Sequence, residues 1–326
     1  ILENFTITNG FANPKGGGIY IDGANPTLQN LIISNNTAEP STNSGSGGGI
    51  YMSNTDNAIL QGLTISNNLG QQGGGIFLDY SSSPIIQDCV IENNSALETG
   101  GGISSYANSN FTLEGSIIKG NTSVAVGAGC FIVNSSPLIT DCVFSNNSTD
   151  EKGGALYLTE ESSPIIKYCL FNDNSGWDRG GAISSGTSFP EISFSTFVNN
   201  ISERNGTGSA IDLRNSSTLN MHSSIMYGHT GDPINYQSNC TVDITYCNYD
   251  GYDPLWSDSA GNFSGNPQFI DLDNHDYNLL TSSPCIDTGD PNSEDPDGSR
   301  ADMGAYYFHQ TPGCTDELAC NPNSEA

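Results

Sequence analysis

Gly74-Gly75-Ile76-Phe77-Leu78, Ser83-Pro84-Ile85-Ile86 and Cys89-Val90-Ile91-Glu92-Asn93-Asn94 make up one block of sequence that returns about every 27 residues. Aligned copies place Asn36, Asn68, Asn94, Asn121, Asn147, Asn174 and Asn200 in one column, at spacings of 32, 26, 27, 26, 27 and 26. The residue after the glycine turn keeps step: Ile19, Ile50, Ile76, Ile103, Cys130, Leu156, Ile183 and Ile211. A period of this length marks a solenoid, whose unit cannot bury its apolar face alone and must stack on its neighbours.

Each block holds three short apolar runs, such as Ala155-Leu156-Tyr157-Leu158, Pro164-Ile165-Ile166-Lys167 and Cys169-Leu170-Phe171. They are β-branched or aromatic, and Gly, Ser, Asn and Pro separate them, which predicts strands rather than helices. The expectation is an all-β fold: a single-stranded parallel β-helix with three strands per coil of about 27 residues. Some nine coils at an interstrand distance of about 4.8 Å give a rod roughly 40–45 Å long. The Gly-Gly pair suits a crowded bend that allows positive φ. Asparagines recurring at one corner are expected to stack amide on amide, which satisfies polar groups that are costly to bury.

Gly180-Gly181-Ala182-Ile183 and Gly153-Gly154-Ala155-Leu156, together with Phe144-Ser145-Asn146-Asn147, resemble the GGA(I/L/V) and FxxN repeats of the polymorphic outer membrane protein family. They are also similar to the wider group of secreted right-handed parallel β-helix proteins. The resemblance spans residues 1 to about 230. It implies the right hand, as does the general crossover rule. It also implies export, and either a surface adhesin or one of the polysaccharide lyases and glycoside hydrolases of the wider fold.

The chain has 326 residues, 36 acidic against 8 basic, for a formal charge of −28. Nucleic acid needs a basic footprint and is excluded as a partner. Anionic membranes and polysaccharides are disfavoured unless a cation bridges them, and the charge suits solubility in a salty exterior. No run approaches 18 apolar residues, so no membrane span is expected. The first residues, Phe5-Thr6-Ile7-Thr8-Asn9-Gly10, already read as part of a repeat, which suggests a processed chain or a fragment. Sequons such as Asn121-Thr122-Ser123, Asn205-Gly206-Thr207 and Asn215-Ser216-Ser217 arise readily in Asn- and Ser-rich repeats and say little about glycosylation.

Cys89, Cys142 and Cys169 share a column with Leu31, Leu63, Ser116 and Ser195. That column is expected to face inward, with its thiols free and serving as small core filler. Cys142 and Cys169 sit on adjacent coils at a spacing a disulfide would allow. Cys240 and Cys247 flank a short strand and are candidates to pair, and Cys285 has no partner in the sequence.

Periodicity fades after about residue 230, which sets three regions: repeats over 1–250, an Asp/Gly/Pro-rich module over 251–311 and a tail over 312–326. Asn266-Pro267-Gln268-Phe269-Ile270-Asp271 and Ser283-Pro284-Cys285-Ile286-Asp287-Thr288-Gly289-Asp290 resemble the module that closes many secreted bacterial β-helix proteins. The resemblance implies a cap over the last coil. Asp287, Asp290, Asp295, Asp297 and Asp302 have oxygens suited to Ca²⁺, the one cofactor the sequence suggests; a set of Asx turns is the alternative. Arg300, inside this stretch, suits a structural ion pair. The tail around Cys314 and Cys320 looks like the start of a Cys-containing repeat, in which an oxidised pair would agree with export.

Chemistry is hard to find in the sequence. Lys152, Arg179 and Arg204 precede three successive glycine turns beside Asp150, Glu151 and Asp178, and a surface charge ladder is the favoured reading over a lyase base. Asp173, Asp178 and Asp212 are carboxylates without a hydrolase motif. His222 and His229 flank Tyr227, an arrangement open to acid–base work or to simple packing. The favoured expectation is a non-catalytic extracellular rod: an adhesin, structural or filament-forming protein of the cell surface. Its partners would be a glycan, a surface protein, or another copy added end to end through exposed strand edges. The alternative is an extracellular polysaccharide lyase or glycoside hydrolase, with Arg179 and Arg204 as its candidate residues and the insertion from Glu39 to Gly45 shaping a groove.

Overall fold

The computed structural model describes residues 1–39, 45–204, 208–250 and 260–310, and among them there is no helix. The chain winds as a parallel β-solenoid whose coils stack into sheets of 10, 10, 8 and 9 strands. One coil runs through Leu138–Thr140 in the first sheet, Val143–Ser145 in the second, Ser148–Thr149 in the third and Leu156–Thr159 in the fourth. The next repeats it in register, with Leu138 opposite Ile165, Val143 opposite Leu170, Ser148 opposite Ser175 and Leu156 opposite Ile183. Most coils therefore carry four strands where three were expected. The extra one runs from two residues, as in Ser148–Thr149, to five in Ser95–Thr99, and carries no sustained apolar run to announce it.

Alternation within each short strand decides what is buried. In the second sheet the middle residue points inward, giving the column Ile33, Ile65, Ile91, Ile118, Phe144, Phe171 and Phe197, all fully buried. Phe144, Phe171 and Phe197 stack with centroids 4.9 and 4.7 Å apart and ring planes within 6°. Parallel stacking at the strand spacing suits identical side chains in register. Together the inward columns form one continuous apolar core along the rod.

The asparagine column is buried, with exposures of 0–1%. Asn121 shows the pattern. Its Oδ1 accepts from Asn94 N at 3.0 Å and Asn94 Nδ2 at 3.1 Å, while its Nδ2 donates to Ile91 O at 2.9 Å and Asn147 Oδ1 at 3.0 Å. The same bonds link every neighbouring pair from Asn36 to Asn200.

The cysteine column is more than filler. Where it holds Ser, the hydroxyl accepts the backbone N–H of the coil before: Cys89 N to Ser116 Oγ at 3.0 Å and Cys169 N to Ser195 Oγ at 3.3 Å. Cys247 Sγ does the same for Ser224 N at 3.4 Å. The column is a polar ladder of small side chains. Cys142 and Cys169 lie in it as free thiols, each donating to a backbone carbonyl two residues back. Cys240 and Cys247 are also free, correcting the expected pair. They sit beyond opposite ends of the strand Thr241–Thr245, and an extended strand of that length holds its flanks well beyond disulfide reach. Cys314 and Cys320 lie outside the described residues.

The glycine turn has a steric cause. Gly153 adopts φ +69°, and a Cβ on it would collide with Leu156 O; a Cβ on Gly154 would collide with Gly181 O in the next coil. The first of these positions is glycine with positive φ in every such turn, which lets the chain double back tightly before the fourth sheet, while the second also admits Ala128 and Ser209.

The C-terminal segment departs from the cap that was expected. Asn262 continues the stack: its Oδ1 accepts from Cys247 N at 2.9 Å and its Nδ2 donates to Ile244 O at 2.7 Å. Beyond it the chain turns back along the flank. Phe269–Asp271 pairs antiparallel with Asp276–Leu279, and Phe269, Tyr277, Leu279, Cys285 and Met303 form a second apolar cluster with Leu170, Val198 and Ile225. Those three are outward positions of the second sheet. Leu170 and Ile225 open their strands, in a column that earlier coils fill with Ile32, Val90 and Ile117; Val198 closes its strand, where earlier coils carry Ser66, Glu92 and Lys119. The module packs where both outward columns have become apolar, because that is where burial is gained.

Candidate functional site

The outer face of the fourth sheet carries a row of rings. Tyr20, Tyr51, Phe77, Tyr106, Phe131 and Tyr157 follow one another at centroid distances of 5.2, 5.6, 5.2, 5.3 and 5.7 Å. Tyr106 comes from the coil in which the outward position is the small Ser104, and fills the gap that residue leaves. The rings of Tyr51, Phe77 and Phe131 are almost wholly buried. Stacked on one another, they offer a ligand their edges and not their faces, so the row is chiefly a structural ladder.

The row ends at Tyr157. Its register partner in the next coil is Ser184, and the one after that is Asp212. At Gly186, two residues past Ser184, a Cβ would make ordinary contact with Asn215 Nδ2 at 3.7 Å and Tyr157 Oη at 3.9 Å. The end of the ring row is where the polar chemistry gathers. Asp212 is fully buried and takes a two-pronged contact from Arg214, at 2.8 Å from Nε and 2.6 Å from Nη2; Asn235 Nδ2 adds a third bond at 2.9 Å. On the adjoining corner, Asp178 is gripped by Arg204 at 2.6 Å and Arg179 at 3.1 Å. Lys152 pairs with Arg179 as neighbours in register.

The charges hold one another in place. Burial pushes the Asp178 carboxyl up, but the Arg204 hydrogen bond and the charges of Arg179, Arg204 and Lys152 outweigh it, leaving it below its ordinary range. The hydrogen bond to Asp212 raises Arg214 further, and Asp178 contributes to that shift. Burial raises the Tyr157 hydroxyl against the opposing charge of Arg179. Three of the four arginines are thus engaged: Arg179 and Arg204 by Asp178, and Arg214 by Asp212. Trp177, the residue before Asp178, is 57% exposed.

Sequence reasoning had singled out Arg179, Arg204, Asp178 and Asp212, but not Trp177 or Arg214. The signal for the latter was the break in the outward column, from Tyr157 to Ser184 to Asp212. Asp173 lies apart, 3.5 Å from the His275 ring. His222 and Tyr227 form no pair: His222 packs edge-on to Phe194, and Tyr227 on Phe269. His229 is held by Asn200 O at 3.3 Å. The insertion after Glu39 lies largely outside the described residues.

The five aspartates of the C-terminal module serve as loop staples. Asp302 Oδ1 accepts from Asp287 N at 2.7 Å and Asp295 Oδ2 accepts from Asp302 N at 2.9 Å. Asp290 caps Asn292 N, while Asp297 holds Ser299 and Gln310 N. Among the described residues no group of three or more His, Cys, Asp or Glu is arranged to hold a metal ion, so the calcium expectation finds no cage here. Arg300 donates to Gly289 O at 3.0 Å and lies over the Tyr246 ring, holding backbone and ring in place of the ion pair suggested for it.

Burial, followed by the Asp302 charge, pushes the Asp295 carboxyl up to about 6; burial also raises Asp302. A raised carboxyl contributes stability that is complete below its unfolded value near 4 and is lost as pH climbs through its folded value. Asp290 and Asp297 are lowered, so their contribution is lost only at more acid pH. Thermal stability should therefore fall between pH 4 and 7. Asp295→Asn should remove that slope and stabilise the protein at pH 7 by about 1 kcal/mol, less than full linkage because the carboxyl is partly exposed. Parallel pH profiles for wild type and variant would reject this.

No helix among the described residues is long and apolar enough to cross a membrane. No curated protein matches the chain. Among solved structures, that of the pectate lyase Pel9A superimposes with a TM-score of 0.53 at 12% sequence identity, covering 93% of this chain and 86% of that one. At such low identity the likeness shows the fold alone. The family model for the right-handed β-helix region matches residues 1–138 and again 127–249. In-register coils, four parallel sheets and this match agree, and the chain belongs to the right-handed β-helix family.

Proposed function

We propose that this protein is an extracellular glycan-binding β-solenoid of the cell surface, without a reaction of its own, and that the corner around Trp177 holds the sugar. Surface display is supported by the GGA(I/L/V) and FxxN resemblance and by the acidic exterior. The observation that carries the binding site is an exposed indole one residue before Asp178, a carboxylate already clasped by Arg179 and Arg204. Such pairs are fixed forks of donors and acceptors that suit vicinal hydroxyls, while the indole offers a face to a pyranose ring. The local charges nearly cancel, which favours a neutral sugar over a uronate.

The same geometry argues against catalysis. A β-elimination needs a free base beside the substrate, and here each of these arginines is engaged by a carboxylate. The test is titration calorimetry against a panel of neutral and acidic polysaccharides. Trp177→Ala is expected to weaken binding to a neutral glycan at least tenfold, roughly 1.4 kcal/mol, with unchanged circular dichroism. Binding that survives the substitution would remove the site from consideration.

The second reading is a polysaccharide lyase, favoured by the fold shared with Pel9A. It predicts new ultraviolet absorbance from unsaturated ends, abolished by Arg179→Ala or Arg204→Ala. Such turnover would replace the reading preferred above.

A further inference from the structure

A cavity of about 730 Å³ lies on the other side of the rod, between the flank of the solenoid and the returning C-terminal module. Its solenoid wall is the corner between the first and second sheets. Every coil turns that corner through one residue with positive φ: Asn30, Gly62, Asp88, Gly115 and Asp141 in the first coils. These are the residue types that tolerate the left-handed region. The next two coils break the rule, with Tyr168 at φ 53° and Phe194 at φ 48°. A bulky side chain in that conformation costs stability and calls for a compensating reason. The two rings stack at 5.1 Å with planes 13° apart, and both line the cavity.

The opposite wall brings Asp295, Tyr306 and Tyr307, and Asp141 stands on the solenoid side. Tyr168 is 43% and Tyr307 44% exposed, so ring surface is open to an occupant. No Lys, Arg or His lines the cavity. Aromatic faces and carboxylates without a counter-cation are the chemistry that selects positive charge. A chain of net charge −28 also concentrates cations at its surface.

We propose that this cavity binds an organic cation, an ammonium or guanidinium group, held by the rings of Tyr168, which Phe194 backs, and Tyr307 and by the carboxylates of Asp141 and Asp295. The site is separate from the Trp177 corner and does not rest on the glycan reading. The cation has two sources, a free amine or a basic side chain of a partner protein.

Calorimetry on the full chain decides it, with tetramethylammonium, putrescine, N-acetyl-lysine amide and N-acetyl-arginine amide as probes and glucose and acetate as controls. Saturable binding of the cations alone is expected, weakening as salt is raised. Preference for putrescine assigns a free amine, and preference for the blocked amino acids assigns a partner's side chain; either supports the site. Tyr168→Asn is the informative variant, because asparagine is at ease at positive φ. It should keep or raise the melting temperature while weakening binding at least tenfold, and Asp141→Asn should weaken binding without unfolding. Absence of saturable cation binding, equal affinity in Tyr168→Asn, or preference for glucose or acetate overturns the proposal.

Discussion

Asn121→Ala is expected to destabilise the rod by about 3–5 kcal/mol, the scale for orphaning several buried polar groups at once. The substitution deletes four hydrogen bonds. It strands the backbone N–H and side-chain amide of Asn94 on one side, and Asn147 Oδ1 and Ile91 O each lose a donor on the other. Water cannot repair them, because the neighbouring amides are fully buried. Stability in a solenoid is a sum of nearest-neighbour terms, so a break in mid-ladder should also divide one unfolding transition into two. Chemical denaturation followed by circular dichroism measures both effects. The control is Asn146→Gly at the exposed, positive-φ neighbour, which should cost little. A loss below 1 kcal/mol in Asn121→Ala would mean that the amides do not depend on one another.

The second large effect concerns Asp212 and Arg214. Arg214→Ala leaves a carboxylate with no exposure and only Asn235 as a partner, and removing one member of a buried pair typically costs about 3–5 kcal/mol. The structure also supplies the remedy. In the preceding coils, Asp212 is replaced in register by Ser184 and Tyr157, and Arg214 by Gly186 and Thr159. The double variant Asp212→Ser with Arg214→Thr should therefore recover most of the loss, to within about 1 kcal/mol of wild type. If the recovered protein also loses glycan binding, the pair is present for recognition. If binding is retained, it serves the fold. A double variant as unstable as Arg214→Ala would show that the coil needs the pair for shape, against the substitution pattern of its neighbours.

Much of the architecture was legible because one coil is printed many times. The asparagine column, the inward aliphatic columns and the glycine turn each repeat at fixed offsets, so each could be read from several copies. The fourth strand was hidden for the opposite reason: Ser148–Thr149 is too short and too polar to show a hydrophobic period. The accepting role of Ser116 and Ser195 was visible only as their exchange with cysteine, which fits a packing column equally well. The polar corner was half legible. Arg179 and Arg204 announce themselves by rarity, but the partnership of Arg214 and Asp212 depends on an outward-facing residue being buried, which strand alternation does not predict. The course of the C-terminal module was written on the solenoid instead of the module itself. Val198 turns apolar an outward column in which earlier coils present Ser66, Glu92 and Lys119, beside Leu170 and Ile225 in the column of Ile32, Val90 and Ile117.

The seven described cysteines have a consequence for how this molecule matures. All are free, and burial pushes the Cys89 thiol up to about 11 and those of Cys247 and Cys285 up to about 12. Thiols so reluctant to ionise are poor nucleophiles once the coils have closed over them. The described part of the rod thus needs no oxidase or isomerase to reach its fold, and its shape should be indifferent to the thiol–disulfide poise around it.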